Sequence, residues 1–323
     1  MTGRSLEKTT VRESRVGDRV EVACVLCGCG EAEIRYRLGD VRVQRCVQCG
    51  LVALQPRFPE GDVESVYEAH VGGRTAVGAG AGEKGGCLEG MERRPIRPVG
   101  EARVNRRRLG VMESLTRGRD LLDVGAAAGL FLLDAKARGW RVRGIEVSAP
   151  AVALAESRGL RMERGTLRDA RLEHDALDAV TMWNVIEHLH DPVRDLRKVR
   201  RSLRARGVLA VSTPNYDSVI RTVRGAGWHG FKVGEHLSIF SPSTIGMLFE
   251  ETGFEPVRLT TNRTELIRAR RFLAGIQDRA PGAVYEMLRL GRAAVNGTLG
   301  KMLFFAWESL LRGDRIEVYA RRR

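Results

Sequence analysis

Two thiol pairs, Cys24-x-x-Cys27 and Cys46-x-x-Cys49, stand near the start of the chain. The span between them fits the zinc-ribbon spacing, and four thiolates at tetrahedral positions are what a structural Zn²⁺ requires. Gly28 and Gly50 follow the pairs, where a knuckle turn takes a residue free of Cβ strain. The set is closed, so its expected role is structural and not catalytic. Cys29 is a spare that fits the knuckle less well, and Cys87 stands alone in a glycine-rich stretch. A second pattern lies in LLDVGAAAGLFL, residues 121–132, where Asp123, Gly125, Ala127 and Gly129 spell D-x-G-x-A-x-G. A tight small-residue turn before a helix lets a ligand approach the backbone and offers free N–H groups. It is not the dinucleotide fingerprint, because the third glycine of G-x-G-x-x-G falls on Leu130 and the second on Ala127. The acid two residues before the first glycine suits a cationic or hydroxyl-bearing ligand and would repel a pyrophosphate. A third pattern is two Glu-His pairs, Glu187-His188 and Glu235-His236. Histidine titrates near neutrality and suits taking a proton from a hydroxyl or an activated carbon. Adjacent residues need not touch, so spacing alone makes neither pair a dyad.

The elements that must position these residues alternate strand and helix. The first strand, around residues 121–122, closes at Asp123, and residues 130–137 carry helical periodicity. Residues 141–147 (RVRGIEV) read as a second strand ending in Glu146, where an acid can accept both hydroxyls of a ribose. A helix over 149–158 follows, with Ser148 as N-cap ahead of Pro150. Residues 161–163 form a short third strand before Gly165-Thr166-Leu167, and residues 178–182 a fourth before WNVIEHLHDP. A helix over 193–203, a strand over 207–212, a helix over 244–252, and strands over 256–261 and 315–320 complete the pattern. This is an α/β, doubly wound, Rossmann-like sheet of seven strands, with a small N-terminal zinc ribbon and a C-terminal helical insertion. Ligands of such sheets bind beyond the carboxyl ends of the strands, which gathers the glycine turn, Glu146 and the 183–192 loop at one edge.

The D-x-G-x-A-x-G turn with Glu146 resembles the class I S-adenosylmethionine (SAM) methyltransferases, and WNVIEHLHDP resembles the segment after strand four in ubiquinone-type O-methyltransferases and related small-molecule methyltransferases. The resemblance implies that Asp123, Gly125, Ala127 and Gly129 wrap the methionine part of SAM and that Glu146 holds the ribose. It also implies that Thr166 and Leu167 contact the adenine and that Asn184 lies in the cofactor-facing loop. EHLSIFSPSTI…GF, from Glu235 to Phe254, is similar to methyltransferases that act on nucleotide-linked sugars and other small polar acceptors, which also carry an N-terminal four-cysteine module. By that resemblance His236, with Glu235 beside it, is the favoured base, and His188, beside Glu187, is the second choice. The resemblance covers residues 22–262 and the final strand.

The chain has 323 residues, 43% of them hydrophobic, enough for two domains, and no run of 18 apolar residues that could span a membrane. The N-terminus is polar and lacks a signal-peptide pattern, which argues against disulfides and implies a cytoplasmic protein. Net charge is +14, but the excess is arginine scattered along the chain and not a basic stripe. The expected organisation is a ribbon over 20–60, a linker or lid over 61–100 with a short helix at 63–70, and a SAM-binding core over 101–263. A helical insertion or cap over 264–313 follows, then the last strand and a basic tail over 314–323. The core opens with a basic helix over 101–117, whose Arg106, Arg107 and Arg108 read mainly as a solvated face and secondarily as partners for the SAM carboxylate. The apolar, basic insertion suits a lid, a dimer contact or a peripheral membrane contact. The function expected is O- or C-methylation of a small-molecule acceptor (a sugar, a glycan precursor or a natural-product scaffold) by in-line displacement with a histidine base. The alternatives are an RNA base methyltransferase and a non-catalytic SAM-binding protein; the ribbon lacks the histidine and stacking aromatics expected of the RNA class.

Overall fold

The central strands are apolar on both faces, and this decides the architecture. Strand β10 (Leu177–Trp183) is buried along its length except at Trp183, and β7 (Asp120–Val124) and the second half of β11 (Leu203–Pro214) are likewise buried. Strands covered on both sides pair in parallel and need helices on each face. The computed structural model of the chain describes residues 8–10, 14–16, 18–62, 99–262 and 312–323. The short helix read at 63–70, the glycine-rich linker with Cys87 and most of the 264–313 insertion lie outside the described residues.

With β8 (Arg141–Glu146), β9 (Met162–Arg164), β13 (Phe254–Asn262) and β14 (Arg315–Arg322), the main sheet has seven strands in the order β13-β14-β11-β10-β7-β8-β9. The five strands from β11 to β9 run parallel, while β14 is antiparallel to both neighbours. The alternation read from the sequence is therefore the observed doubly wound sheet; most strands are longer by one to a few residues, the one read at 141–147 ends at Glu146, and the one read at 161–163 is Met162–Arg164. The pleat sorts the core into two layers. Leu121, Ala179, Ala210 and Tyr319 face α1 (Val99–Leu115) and α2 (Leu130–Lys136), meeting Leu109, Met112, Phe131 and Leu132. Their neighbours Leu122, Val180, Leu209 and Val318 face the other way, onto Leu196 and Val199 of α4 (Pro192–Ser202) and Ile245, Leu248 and Phe249 of α6 (Pro242–Glu251).

Side-chain oxygens start the helices. Ser148 accepts from the N–H of Ala151 at the head of α3 (Ala149–Ser157), and Asp191 accepts from Arg194 N–H at α4. Ser241 and Thr244 exchange side-chain-to-backbone bonds at α6, and each cap is followed at once by a proline or by a residue preceding one. A short helix, α5 (Val219–Arg224), is capped by Ser218.

The N-terminal cysteines belong to a second sheet, ordered β1-β4-β5-β6-β12, from β1 (Lys8–Thr10), β4 (Glu31–Leu38), β5 (Val41–Cys46), β6 (Val52–Gln55) and β12 (Ser238–Ile239). A small two-stranded sheet, β2 (Ser14–Val16) with β3 (Arg19–Glu21), precedes it. The last strand of the cysteine-bearing sheet comes from the core: Ser238 pairs with Ala53 and Ile239 with Val52. One face of this sheet (Val41, Val43, Val52, Leu54) packs on Tyr216, Trp228 and Phe231 from the 214–231 segment. Glu60 adds an ion pair to Arg194 of α4 at 2.6 Å, and the His190 ring donates Nε2–H to Phe58 O at 2.9 Å.

Candidate functional site

The glycine turn between β7 and α2 is held by the second-strand acid. Glu146 accepts Ala127 N–H on one carboxylate oxygen at 2.9 Å and Ser148 N–H on the other at 3.0 Å. Ala127 has φ +46°, a left-handed conformation that costs a side-chain-bearing residue roughly 1–2 kcal/mol, and the bond to Glu146 offsets it. Gly125 also has positive φ (+68°), and a Cβ there would stand 2.5 Å from Val185 Cγ2. The turn after β10 thus presses against the glycine turn. Gly125→Ala should strain the backbone and push Val185 outward, lowering Tm and weakening SAM binding together; thermal unfolding and calorimetry on the variant check both.

Asp123 is 2% exposed and its Oδ1 accepts from Thr181 Oγ1–H at 2.6 Å across β10. Burial pushes its carboxyl up to about 7, opposed by the Thr181 bond and Arg108 and assisted by Glu146. Arg108 is itself buried. It donates to Glu317 Oε2 at 3.1 Å and to Ser212 Oγ at 3.2 Å, with its guanidinium 3.8 Å from the centre of the Trp183 ring. Arg107 donates to both oxygens of Glu317, and Tyr319 O–H donates to Oε1 at 2.8 Å. The expectation of a solvated arginine face is corrected at Arg108: buried Glu317, directly opposite Ser212 on the neighbouring strand, draws its guanidinium inward, while Arg107 reaches the same carboxylate from an exposed position. Arg106 is exposed as expected.

Farther along the edge, Leu167 is buried and Thr166 spends its hydroxyl on Asp169 Oδ2 at 2.6 Å. Asn184 has φ +59°, donates its N–H to Ser212 O at 2.8 Å, and keeps a buried Oδ1 with no hydrogen-bond partner.

The turn Ile186–His188 and the 232–237 loop meet here. Leu237 N–H donates to Glu187 O at 2.8 Å, which brings His188 and His236 into edge-to-face contact with ring centroids 4.8 Å apart. Each ring is oriented by a backbone carbonyl: His188 Nδ1–H donates to Glu235 O at 2.9 Å and His236 Nδ1–H to Gly230 O at 2.8 Å. A carbonyl only accepts, so Nδ1 carries a proton in both rings, and in neutral His236 the lone pair is on Nε2. Burial holds His236 well below the ordinary histidine range, with His188, Lys232 and His229 adding to the effect and the Gly230 carbonyl opposing it. The carboxylate that joins the histidines is Glu187, a ring nitrogen of each and a Glu187 oxygen all lying within 4.8 Å of one another. Glu187 is fully buried, neither of its oxygens makes a well-formed hydrogen bond, and burial raises its pKa. Glu235 points its carboxylate at Lys232 Nζ, 3.2 Å away, and serves His188 through its backbone. Adjacency in sequence suggested Glu235 for His236; the fold supplies Glu187, and only the long-range pairing of the two loops discloses it.

At the ribbon, the sulfurs of Cys24, Cys27, Cys46 and Cys49 lie within 4.8 Å of one another, with Cys24–Cys49 at 3.4 Å and Cys27–Cys46 at 3.5 Å. None is in a disulfide. Sulfurs bonded tetrahedrally to Zn²⁺ at about 2.3 Å stand about 3.8 Å apart, so the set fits the ion. The neighbouring Cys49 sulfur and burial push the Cys24 thiol up; a divalent cation is what lets such a set ionise. Cys29 turns to the Glu31 backbone instead.

Residues 97–259, half of the chain, match the methyltransferase-domain family. The chain is 38% identical over 101 residues to the Mycobacterium tuberculosis protein named "Probable S-adenosylmethionine-dependent methyltransferase Rv3030", covering 30% of this chain and 36% of that protein. It is 28% identical over 109 residues to the ubiquinone biosynthesis O-methyltransferase of Haemophilus ducreyi, covering 30% of this chain and 46% of that one. It thus spans less than half the length of these curated relatives. A solved SAM-dependent methyltransferase from Archaeoglobus fulgidus aligns over 68% of this chain and 93% of its own, at 17% identity and a TM-score of 0.47. With its Asp123–Gly129 turn, Glu146 at the end of the adjoining strand and a reversed last strand in a seven-stranded sheet, the chain belongs to the methyltransferase-domain family, of the class I SAM-dependent type.

Proposed function

We propose that the chain is a SAM-dependent methyltransferase for a small-molecule acceptor, and that the acceptor is deprotonated at the Glu187–His188–His236 cluster. The observation that carries the reading is placement. Val185, which touches the glycine turn, is two residues before Glu187, so the cluster adjoins the cofactor site along the same sheet edge. Similarity to an O-methyltransferase of ubiquinone biosynthesis supports a small acceptor, here a sugar, a glycan precursor or a natural-product scaffold methylated at O or C.

In this reading Asp123, Gly125, Ala127 and Gly129 shape the methionine end of the cofactor site, Glu146 the ribose, Thr166 and Leu167 the adenine, with Asn184 offering its unpartnered amide oxygen. SAM supplies an activated methyl group. Bound there, it would give that methyl to the acceptor atom, and neutral His236 would take the acceptor proton on Nε2. Alignment of the two reactants can supply about 7–11 kcal/mol of the barrier reduction. The ribbon cysteines Cys24, Cys27, Cys46 and Cys49 would hold a structural Zn²⁺. No helix among the described residues is long and apolar enough to cross a membrane.

Asp123 makes the cofactor step pH-dependent. Its raised pKa means the folded chain holds a proton that the unfolded chain has released. Its contribution to stability is therefore full below the ordinary carboxylate range and lost as pH rises through about 7. Cationic SAM favours the ionised form, so affinity should strengthen about tenfold between pH 6 and pH 8, and Asp123→Asn should flatten that slope. Calorimetric titration with SAM across that range tests it. Methyl transfer to a panel of hydroxylated acceptors tests the acceptor class; SAM binding without turnover on any of them would favour a binding protein.

A further inference from the structure

We propose that Glu187, His188 and His236 form a second metal site, a three-ligand seat for a divalent first-row transition cation. The donors converge from two separate segments, with a ring nitrogen of each histidine and a Glu187 oxygen within 4.8 Å of one another. Ligand atoms around a metal bonded at about 2.0–2.2 Å stand about 3–4 Å apart, so closure takes side-chain shifts of no more than about 1–2 Å. Both imidazoles are already fixed as metal-bound histidines are, with Nδ1–H on a backbone carbonyl.

Glu187 supplies the second, independent observation. Its carboxyl is fully buried and neither oxygen makes a well-formed hydrogen bond, not even with the nearby Thr213 hydroxyl. A buried carboxyl left this way is costly unless a positive charge meets it. A cation between Glu187 and the two rings satisfies it. The seat is also built from outside. Leu237 N–H holds Glu187 O at 2.8 Å, and Leu54 N–H of the cysteine-bearing sheet holds Leu237 O at 3.1 Å. The loop that carries His236 is thereby fixed to both the core and the ribbon.

Two nitrogens and one carboxylate oxygen favour Zn²⁺, Co²⁺, Fe²⁺ or Mn²⁺ over Mg²⁺ or Ca²⁺. Three protein ligands leave positions open, unlike the closed four-cysteine set, and open positions belong to catalytic sites. The role of the cation rests on the acceptor standing at this cluster; its binding does not. An acceptor hydroxyl on an open position becomes more acidic and gives its proton to solvent water. The oxygen keeps the electron pair and takes the methyl as the carbon–sulfur bond breaks. In the metal-free protein His236 Nε2 takes that proton itself.

The test is cobalt loading of the full chain after chelator treatment, read by elemental analysis and visible absorption. Two Co²⁺ per chain are expected, one with intense thiolate-to-cobalt bands and one with weak ligand-field bands. Glu187→Gln and His236→Gln should each lose the weak set while keeping the thiolate bands, which also report a folded ribbon. A single cobalt with thiolate bands alone, or a second cobalt that survives both substitutions, overturns the proposal. SAM binding and turnover with one cobalt per chain would leave the methyltransferase reading standing without this site. Two cobalts with no SAM binding would do the reverse.

Discussion

His236→Ala lowers methyl transfer by about 10²–10⁴-fold, the range for removing a positioned proton acceptor, and leaves SAM affinity unchanged. The separation follows from geometry: the cofactor turn hangs on Glu146, while His236 is oriented by Gly230 O on a different loop. The carboxylates give the sharper contrast. Glu187→Gln should impair turnover because Glu187 stands with both rings. Glu235→Gln should leave it largely intact, because that carboxylate serves Lys232. The pH profile adds a sign. His236 is held neutral by burial and by facing His188, Lys232 and His229, so the base is ready throughout the neutral range and activity falls only in acid as the ring protonates. Rate against pH with saturating SAM separates this from the Asp123 effect on affinity. Full activity in His236→Ala would contradict the assignment.

Cys46→Ser should release the ribbon metal and unfold the module around it. Structural zinc in small modules contributes about 10–16 kcal/mol of apparent binding free energy near neutral pH, more than the few strands of the ribbon can replace by packing. The consequence reaches past the ribbon. Cys24, Val25, Leu26 and Cys49 pack on the core layer that contains Leu51 and Phe240, and β6 is the pairing partner of β12. Losing the knuckles frees the strand that follows His236. Turnover should fall further than SAM affinity, since β7, β8 and the glycine turn lie in the other sheet. Metal content, amide exchange in β5 and β6, and parallel SAM titrations measure the three effects. A metal-free variant with native exchange protection would show that the sulfurs do not need an ion.

Much of this was legible in the residues because their constraints are local. A C-x-x-C pair fixes a knuckle within four residues. Asp123 to Gly129 fixes a turn within seven. Apolar runs such as VTMW after Ala179 declare a strand buried on both sides. What was not legible depends on strand order. Arg108 reads as one of many exposed arginines until β14 folds between β11 and β13 and places Glu317 opposite Ser212. The alternation of RIEVYA, with Ile316 and Val318 on one face and Glu317 and Tyr319 on the other, was the available signal that an acid would face α1. Glu187 likewise looks like a neighbour of His188 alone until Leu237 N–H binds its carbonyl and delivers His236.

The central claim, a SAM site at the glycine turn, is tested most directly by calorimetric titration of the zinc-loaded protein with SAM beside Glu146→Ala. The substitution removes the buried carboxylate that accepts the Ala127 and Ser148 N–H groups, and with it the proposed ribose contact. Charged hydrogen bonds of this kind contribute about 1.5–3 kcal/mol each. The account predicts saturable one-to-one binding to the wild type, weakened about tenfold to a hundredfold or more in Glu146→Ala, with Thr181 still bonded to Asp123 and the fold intact. Folded, metal-loaded wild type that takes up no SAM, or a Glu146→Ala variant that binds it equally well, would contradict the account.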